Sequence, residues 1–162
     1  MYHIYESRSK EKILVLLIKI TLLLVSFFCI YKISITDFKR RIIPDIYLYP
    51  LTLIGLLFIQ YSLITDYYQS SIASIIGYGL GILIGFIFKK NSEDTPIGMG
   101  DIKLLACGGI WLGINGLAIA IVISSMFAII WGIIKKQKYI PYAPFFFSGS
   151  IISYLISYLF LL

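Results

Sequence analysis

Apolar runs separated by short polar breaks divide the chain into segments near 13–36, 46–65, 70–88, 101–114, 117–134 and 144–162. Runs of this kind predict transmembrane α-helices, which take about 17–25 residues to cross a bilayer, and several of these lie at the short end of that range. The expected architecture is all-α: a polytopic membrane protein with a bundle of about six transmembrane helices, one domain over residues 1–162. The stretch 104–134 is ambiguous, because 31 residues are long for one span and short for two. Two helices turning at Asn115-Gly116, a good turn dipeptide, keep Lys135, Lys136 and Lys138 on the same side as the other loop cations. The first of them, 101–114, is then about 21 Å long at 1.5 Å per residue, against a hydrocarbon core of about 30 Å. That shortfall is expected to draw Asp101 below the membrane surface. Gly77, Gly81 and Gly85 form a small-residue stripe suited to close helix packing.

Composition agrees with lipid as the solvent. Of the 162 residues 59% are hydrophobic, with mean hydropathy +0.92, against roughly 45–50% apolar residues in a soluble domain. The net charge of +6 comes from lysines and arginines spread through the gaps between apolar runs. Such spacing signals topology and not a phosphate-binding face, so no nucleic-acid partner is expected. Cys29 and Cys107 lie inside apolar runs without CxxC spacing, which supports neither a zinc site nor a disulfide framework; they read as packing residues. Residues 13–36 exceed the apolar core of a secretory signal and no A-x-A site follows, so this run is expected to stay attached as a helix. His3 lies in a polar tail and is assigned no role. Lys19 and Lys32, near the ends of the first span, reach the interfaces by snorkelling, and Glu93 and Asp94 belong to a solvated loop.

Two acids stand out because of where the spans put them. Asp37 ends the first span and Asp101 begins the fourth, with two complete crossings between, so both face one compartment. Lys39, Arg40, Arg41, Lys89, Lys90, Lys103, Lys135, Lys136 and Lys138 fall on that side, against Arg8, Lys10 and Lys12 on the other. By the positive-inside rule the acids face the cytoplasm, and both chain termini lie outside.

Carboxylates near hydrocarbon are costly and mark functional sites. Two of them sharing a proton supply what peptide hydrolysis requires: one ionised group to deprotonate water and one protonated group to polarise the scissile carbonyl. Asp37 and Asp101 are the candidates, and they titrate as a unit. Gly98 and Gly100 permit backbone angles closed to other residues, letting the chain turn tightly into the fourth helix. Pro44 fixes an extended lead into the second helix, with Asp45 at its start as a structural cap. Lys103 either stabilises charged Asp101 or marks the membrane boundary. Each acid also has a purely structural reading: Asp101 as a helix cap, and Asp37 as the partner of Lys39, Arg40 or Arg41. Two other functions use the same residues. One is a small transporter or proton relay built on paired acids, which would place them nearer mid-helix; the other is a non-enzymatic scaffold of a pilus or secretion complex.

The residues that carry these roles resemble a known family. Asp37 followed by Pro44-Asp45, Gly98-Met99-Gly100-Asp101-Ile102-Lys103-Leu104-Leu105-Ala106, and Pro141-Tyr142-Ala143-Pro144-Phe145 resemble the type IV prepilin peptidases, including the short forms and the preflagellin peptidases. The resemblance implies an inner-membrane, multi-pass aspartic endopeptidase with Asp37 and Asp101 as catalytic acids and Gly98, Gly100, Lys103, Pro44 and Asp45 in support. Its substrates would be prepilin-like precursors, whose short basic leader is removed at the cytoplasmic membrane face; its other partners are membrane lipids. Neither metal nor cofactor is implied. Before Asp37 the chain has no cytoplasmic region with paired CxxC motifs of the kind found in the larger family members. That puts N-methylation of the new terminus in doubt, and peptidase activity alone is expected.

Overall fold

The computed structural model describes residues 2–59, 65–87, 97–136 and 140–160, with side chains from Lys12 onward. The expectations for Lys89, Lys90, Glu93, Asp94 and Lys138, and for the side chains of His3, Arg8 and Lys10, lie outside the described residues. Among the described residues there are five helices and no strand: α1 (Tyr2–Arg40), α2 (Asp45–Phe58), α3 (Tyr67–Ile87), α4 (Met99–Lys135) and α5 (Tyr142–Leu159). Four are long and apolar enough to cross a membrane: α1 over Lys12–Arg40, α3, α4 and α5.

Three boundaries differ from expectation. The six expected helices become five, because 101–114 and 117–134 form the single element α4. Within the segment 46–65 the described α-helix is Asp45–Phe58, 14 residues or about 21 Å, against a hydrocarbon core of about 30 Å; residues 60–64 lie outside the described residues. In α1, helix continues back to Tyr2 through what was expected to be a polar tail.

Inside α4, Gly113 has φ 66° and ψ −173°, a combination essentially restricted to glycine. The chain doubles back there. Nine residues of straight helix span about 13.5 Å, yet a Leu117 methyl lies 3.5 Å from where a Gly108 Cβ would be. The turn therefore falls at Gly113 and not at Asn115-Gly116; the Gly116 carbonyl instead accepts the Ser153 hydroxyl at 2.6 Å.

Each arm of α4 packs against a different neighbour. The first arm runs antiparallel to α3: Cβ atoms at Gly77 and Gly81 would meet the Leu105 carbonyl oxygen at 2.6 Å and Ile102 at 3.0 Å, and one at Gly109 would meet the Ala73 backbone at 2.5 Å. Backbones so close gain dispersion, the main attraction between helices in lipid. Gly85 leaves the stripe, with nothing within 4 Å of its Cβ position among the described residues. The second arm pairs with α5, where a Gly149 Cβ would lie 2.8 Å from the Ala120 carbonyl oxygen. Cys29, Ile33, Leu48, Leu104, Cys107, Leu117 and Phe146 form a buried core joining α1, α2, α4 and α5, and both cysteines are free packing residues. Leu14, Leu16 and Phe27 on α1, like Phe86 on α3, are well exposed. Apolar surface of this extent suits hydrocarbon and not water.

Candidate active site

Asp37 occupies the last turn of α1, yet its side chain is only 5% exposed. It is held by a distant element: its Oδ2 accepts the backbone N–H of Ala143 at 2.8 Å. Pro141 precedes α5 in an extended conformation, and Pro144 carries no N–H, so the first turn of α5 has few unpaired donors. Asp37 satisfies one of them and adds negative charge where a helix N-terminus favours it. Of the cations considered as its partners, Arg41 acts on it electrostatically. Arg41 ends α1 in the left-handed region at φ 58°, which turns the chain out of the helix toward Ile43 and Pro44.

Asp101 stands in the first turn of α4 behind Gly98, whose φ −70° and ψ 146° are ordinary extended values. Its N–H donates to the Gly98 carbonyl at 3.0 Å, and its carboxylate accepts the Gly98 N–H. Its carboxylate thus supplies the N3 half of a capping box, while glycine at the cap position has no side chain to return the bond. The cap reading of Asp101 and its presence beside Asp37 therefore coexist: its carboxylate lies within electrostatic reach of Asp37 and of the Tyr142 phenol.

The two glycines act through space and not through special backbone angles, since the positive-φ glycine among the described residues is Gly113. A Cβ at Gly98 would sit 3.2 Å from the Asp101 Oδ2, and one at Gly100 would sit 2.8 Å from the Ile43 Cβ. Gly100 lets the loop that follows Asp37 lie against the first turn that carries Asp101. Lys103 is committed elsewhere: its Nζ is 2.6 Å from the Asp45 Oδ2 and 5.7 Å from the Tyr49 ring centre. Asp45 is the first residue of α2, behind Pro44. Beyond its place in that first turn it ties α2 to α4.

Three contributors escaped the reading of the sequence: the Ala143 N–H, Tyr142 and Ser124. The Tyr142 hydroxyl is 3.1 Å from the Ser124 Oγ, and its ring packs on Phe146 with centroids 5.7 Å apart. The signal for the first two was the bracket Pro141-Tyr142-Ala143-Pro144, visible as a motif but without an assigned role; Ser124 had none. Beside Asp37, Phe38 packs on Trp131 at 6.1 Å and Trp131 on Phe145 at 5.9 Å, with the Lys135 ammonium 5.4 Å from the indole. Among the described residues no three His, Cys, Asp or Glu side chains converge as a metal site.

A family model described as the type IV leader peptidase family matches residues 15–133. The chain is 30% identical over 135 residues to the prepilin leader peptidase/N-methyltransferase of Escherichia coli K12, covering 78% of this chain and 60% of that protein. Proteins with the same description from Neisseria gonorrhoeae and Pseudomonas aeruginosa are 29% and 28% identical over 119 residues, covering 70% and 69% of this chain and 42% and 41% of theirs. The chain thus spans roughly half the length of these relatives. No solved structure matches it.

Proposed function

The chain belongs to the type IV leader peptidase family, and from that premise we propose that it is a membrane aspartic endopeptidase removing the leader from prepilin-like precursors, with Asp37 and Asp101 as its catalytic acids. The observation carrying this reading is that acids 64 positions apart, on the last turn of α1 and the first turn of α4, lie within electrostatic reach of each other. Two carboxyl groups so placed hold one proton between them at least cost. The ionised member takes a proton from water as the oxygen attacks the scissile carbonyl carbon, and the protonated member gives its proton to the carbonyl oxygen. Collapse of the tetrahedral intermediate breaks the C–N bond and passes a proton to the leaving amine. The products are the free leader carboxylate and the new amino terminus.

The site's surroundings fit work at a membrane surface. Lys39, Arg40, Arg41, Lys103 and Lys135 lie on the elements that carry or flank the acids, which by the positive-inside rule turns this end toward the cytoplasm of the inner membrane. The first arm of α4, about 21 Å from Met99 to Leu112, brings Asp101 toward the depth at which an apolar substrate helix leaves the bilayer. The two arms of α4 act as separate crossings.

Asp37 also caps α5, which favours a second, structural reading of that residue, and the test separates the two. Asparagine keeps an oxygen that accepts the Ala143 N–H but cannot serve as a general base. Asp37→Asn and Asp101→Asn, each co-expressed with a prepilin-like substrate, are expected to remain in the membrane at parental level while leader removal falls by roughly a thousandfold or more. Parental cleavage in either variant would exclude the two-acid mechanism.

A further inference from the structure

The chain that leaves Asp37 runs alongside the turn that carries Asp101. Asp37 closes α1 by accepting the Arg41 N–H on its backbone carbonyl at 2.9 Å, and Arg41, at φ 58°, sends the chain toward α4. Ile43 is buried over Gly100, where a Cβ would lie 2.8 Å from the Ile43 Cβ. Two residues later the Asp45 Oδ2 meets the Lys103 Nζ at 2.6 Å. Residues 43–45 thus lie along residues 100–103, and Asp101 is inside that stretch. Packing of Ile43 on Gly100 limits how closely the two segments approach, whereas the ion pair opposes their separation. Together they define a spacing.

Building on the aspartic-peptidase reading, we infer that Lys103 and Asp45 are positioning residues, their ion pair clamping the segment after Asp37 to the first turn of α4 and so setting the spacing of the two carboxyl groups. The packing of α2 supports this. The Lys103 ammonium is also 5.7 Å from the Tyr49 ring centre, and Asp45 and Tyr49, four positions apart, share one face of α2. Further along α2 the Trp111 Nε1–H donates to the Leu51 carbonyl at 3.1 Å, and Phe58 stacks on the same indole with centroids 5.9 Å apart. The short helix is held to the first arm of α4 along its length, and the ion pair ties its start to the turn that holds Asp101. Partial exposure of the pair is no objection. Such a contact adds little against unfolding, but a small bias decides between two folded arrangements that differ only in this spacing. Arg41 after α1 and Tyr142 of α5 also face the acids.

Two carboxyl groups that share a proton titrate with apparent pKa values that draw further apart as the groups approach, so the width of the kcat–pH profile reports their spacing. In the leader-removal assay, run with purified protein in detergent and a prepilin-like substrate, Lys103→Met and Asp45→Ala are each expected to lower kcat about three- to fivefold with KM unchanged. Each should also narrow the profile. The two substitutions change the local charge in opposite directions, losing Lys103 moving the profile to higher pH and losing Asp45 to lower pH, so narrowing in both is the mark of the clamp. The double variant should be no slower than the slower single one, because both remove the same contact. Profiles that only shift, at parental width, would overturn the inference. So would parental kcat in both variants, or a loss of kcat at parental width with a lower midpoint of thermal unfolding, which would make the pair a stabilising contact only. If Asp37→Asn and Asp101→Asn are inactive while Lys103→Met and Asp45→Ala are parental, this inference alone falls; if the asparagine variants cleave, the aspartic reading falls and this one with it.

Discussion

At the scale of single residues, the site is governed by how much room each side chain is allowed. Gly100 shows it best. Its backbone is helical and open to any residue, but its Cβ position lies 2.8 Å from the Ile43 Cβ, on a branched side chain next to Pro44 that has little freedom to withdraw. Gly100→Ala must push the 41–44 loop off α4, at about 1–3 kcal/mol. It is expected to lower the midpoint of thermal unfolding in detergent and to abolish leader removal. A parental midpoint would show that the loop gives way freely. The Lys103–Asp45 pair is the opposite case. Both side chains are more than a third exposed, and exposed ion pairs add little to stability, so Lys103→Gln is expected to leave the same midpoint unchanged.

Among the elements, α4 carries the most conformational information, because Gly113 folds one apolar run into two arms. A side chain there meets a double penalty: φ 66° is strained for alanine, and the new Cβ would lie 2.7 Å from the Thr65 Oγ1. Gly113→Ala is expected to cost about 2 kcal/mol or more. It should also reduce cleavage, because the reversal sets α5, whose Ala143 N–H holds Asp37, against both arms of α4. The glycines of α3 divide by the same criterion. Gly77→Ala would drive a Cβ to 2.6 Å from the Leu105 carbonyl oxygen and should destabilise the α3–α4 contact. Gly85→Ala meets nothing within 4 Å among the described residues and should be neutral or slightly stabilising, since alanine is the better helix former by roughly 0.5–1 kcal/mol. Unfolding midpoints of the two variants, compared side by side, test the contrast.

For the whole molecule the decisive property is sidedness. Asp37, Asp101 and the first turn of α5 share one end of the bundle, whereas Thr65 and Gly113 meet at the other end. With the active end in the cytoplasm, cysteines introduced at Lys39 and Lys135 should resist a membrane-impermeant maleimide in intact cells and react in inverted vesicles. A cysteine at Asp66 should behave oppositely. Cys29 and Cys107 are both buried and should contribute little background. Labelling of Lys39→Cys from outside would reverse the orientation.

What the sequence alone determined is local: apolar runs become helices because a backbone in hydrocarbon must bond to itself, and Asp37 and Asp101 stand at helix ends because polar breaks bound those runs. The acidic motifs, and with them the family, could be read without coordinates. Tertiary structure decided the partners. Asp37 meets an N–H 106 residues away, and Lys103 turns to an aspartate 58 residues away instead of to nearby Asp101. Helical periodicity reports on neighbours three or four positions apart, and it carries no term for which distant donor will be within reach. The turn at Gly113 was hidden for a related reason. Asn115-Gly116 is the better turn by local preference, but the close packing of both arms against α3 and α5 selects the glycine two positions earlier.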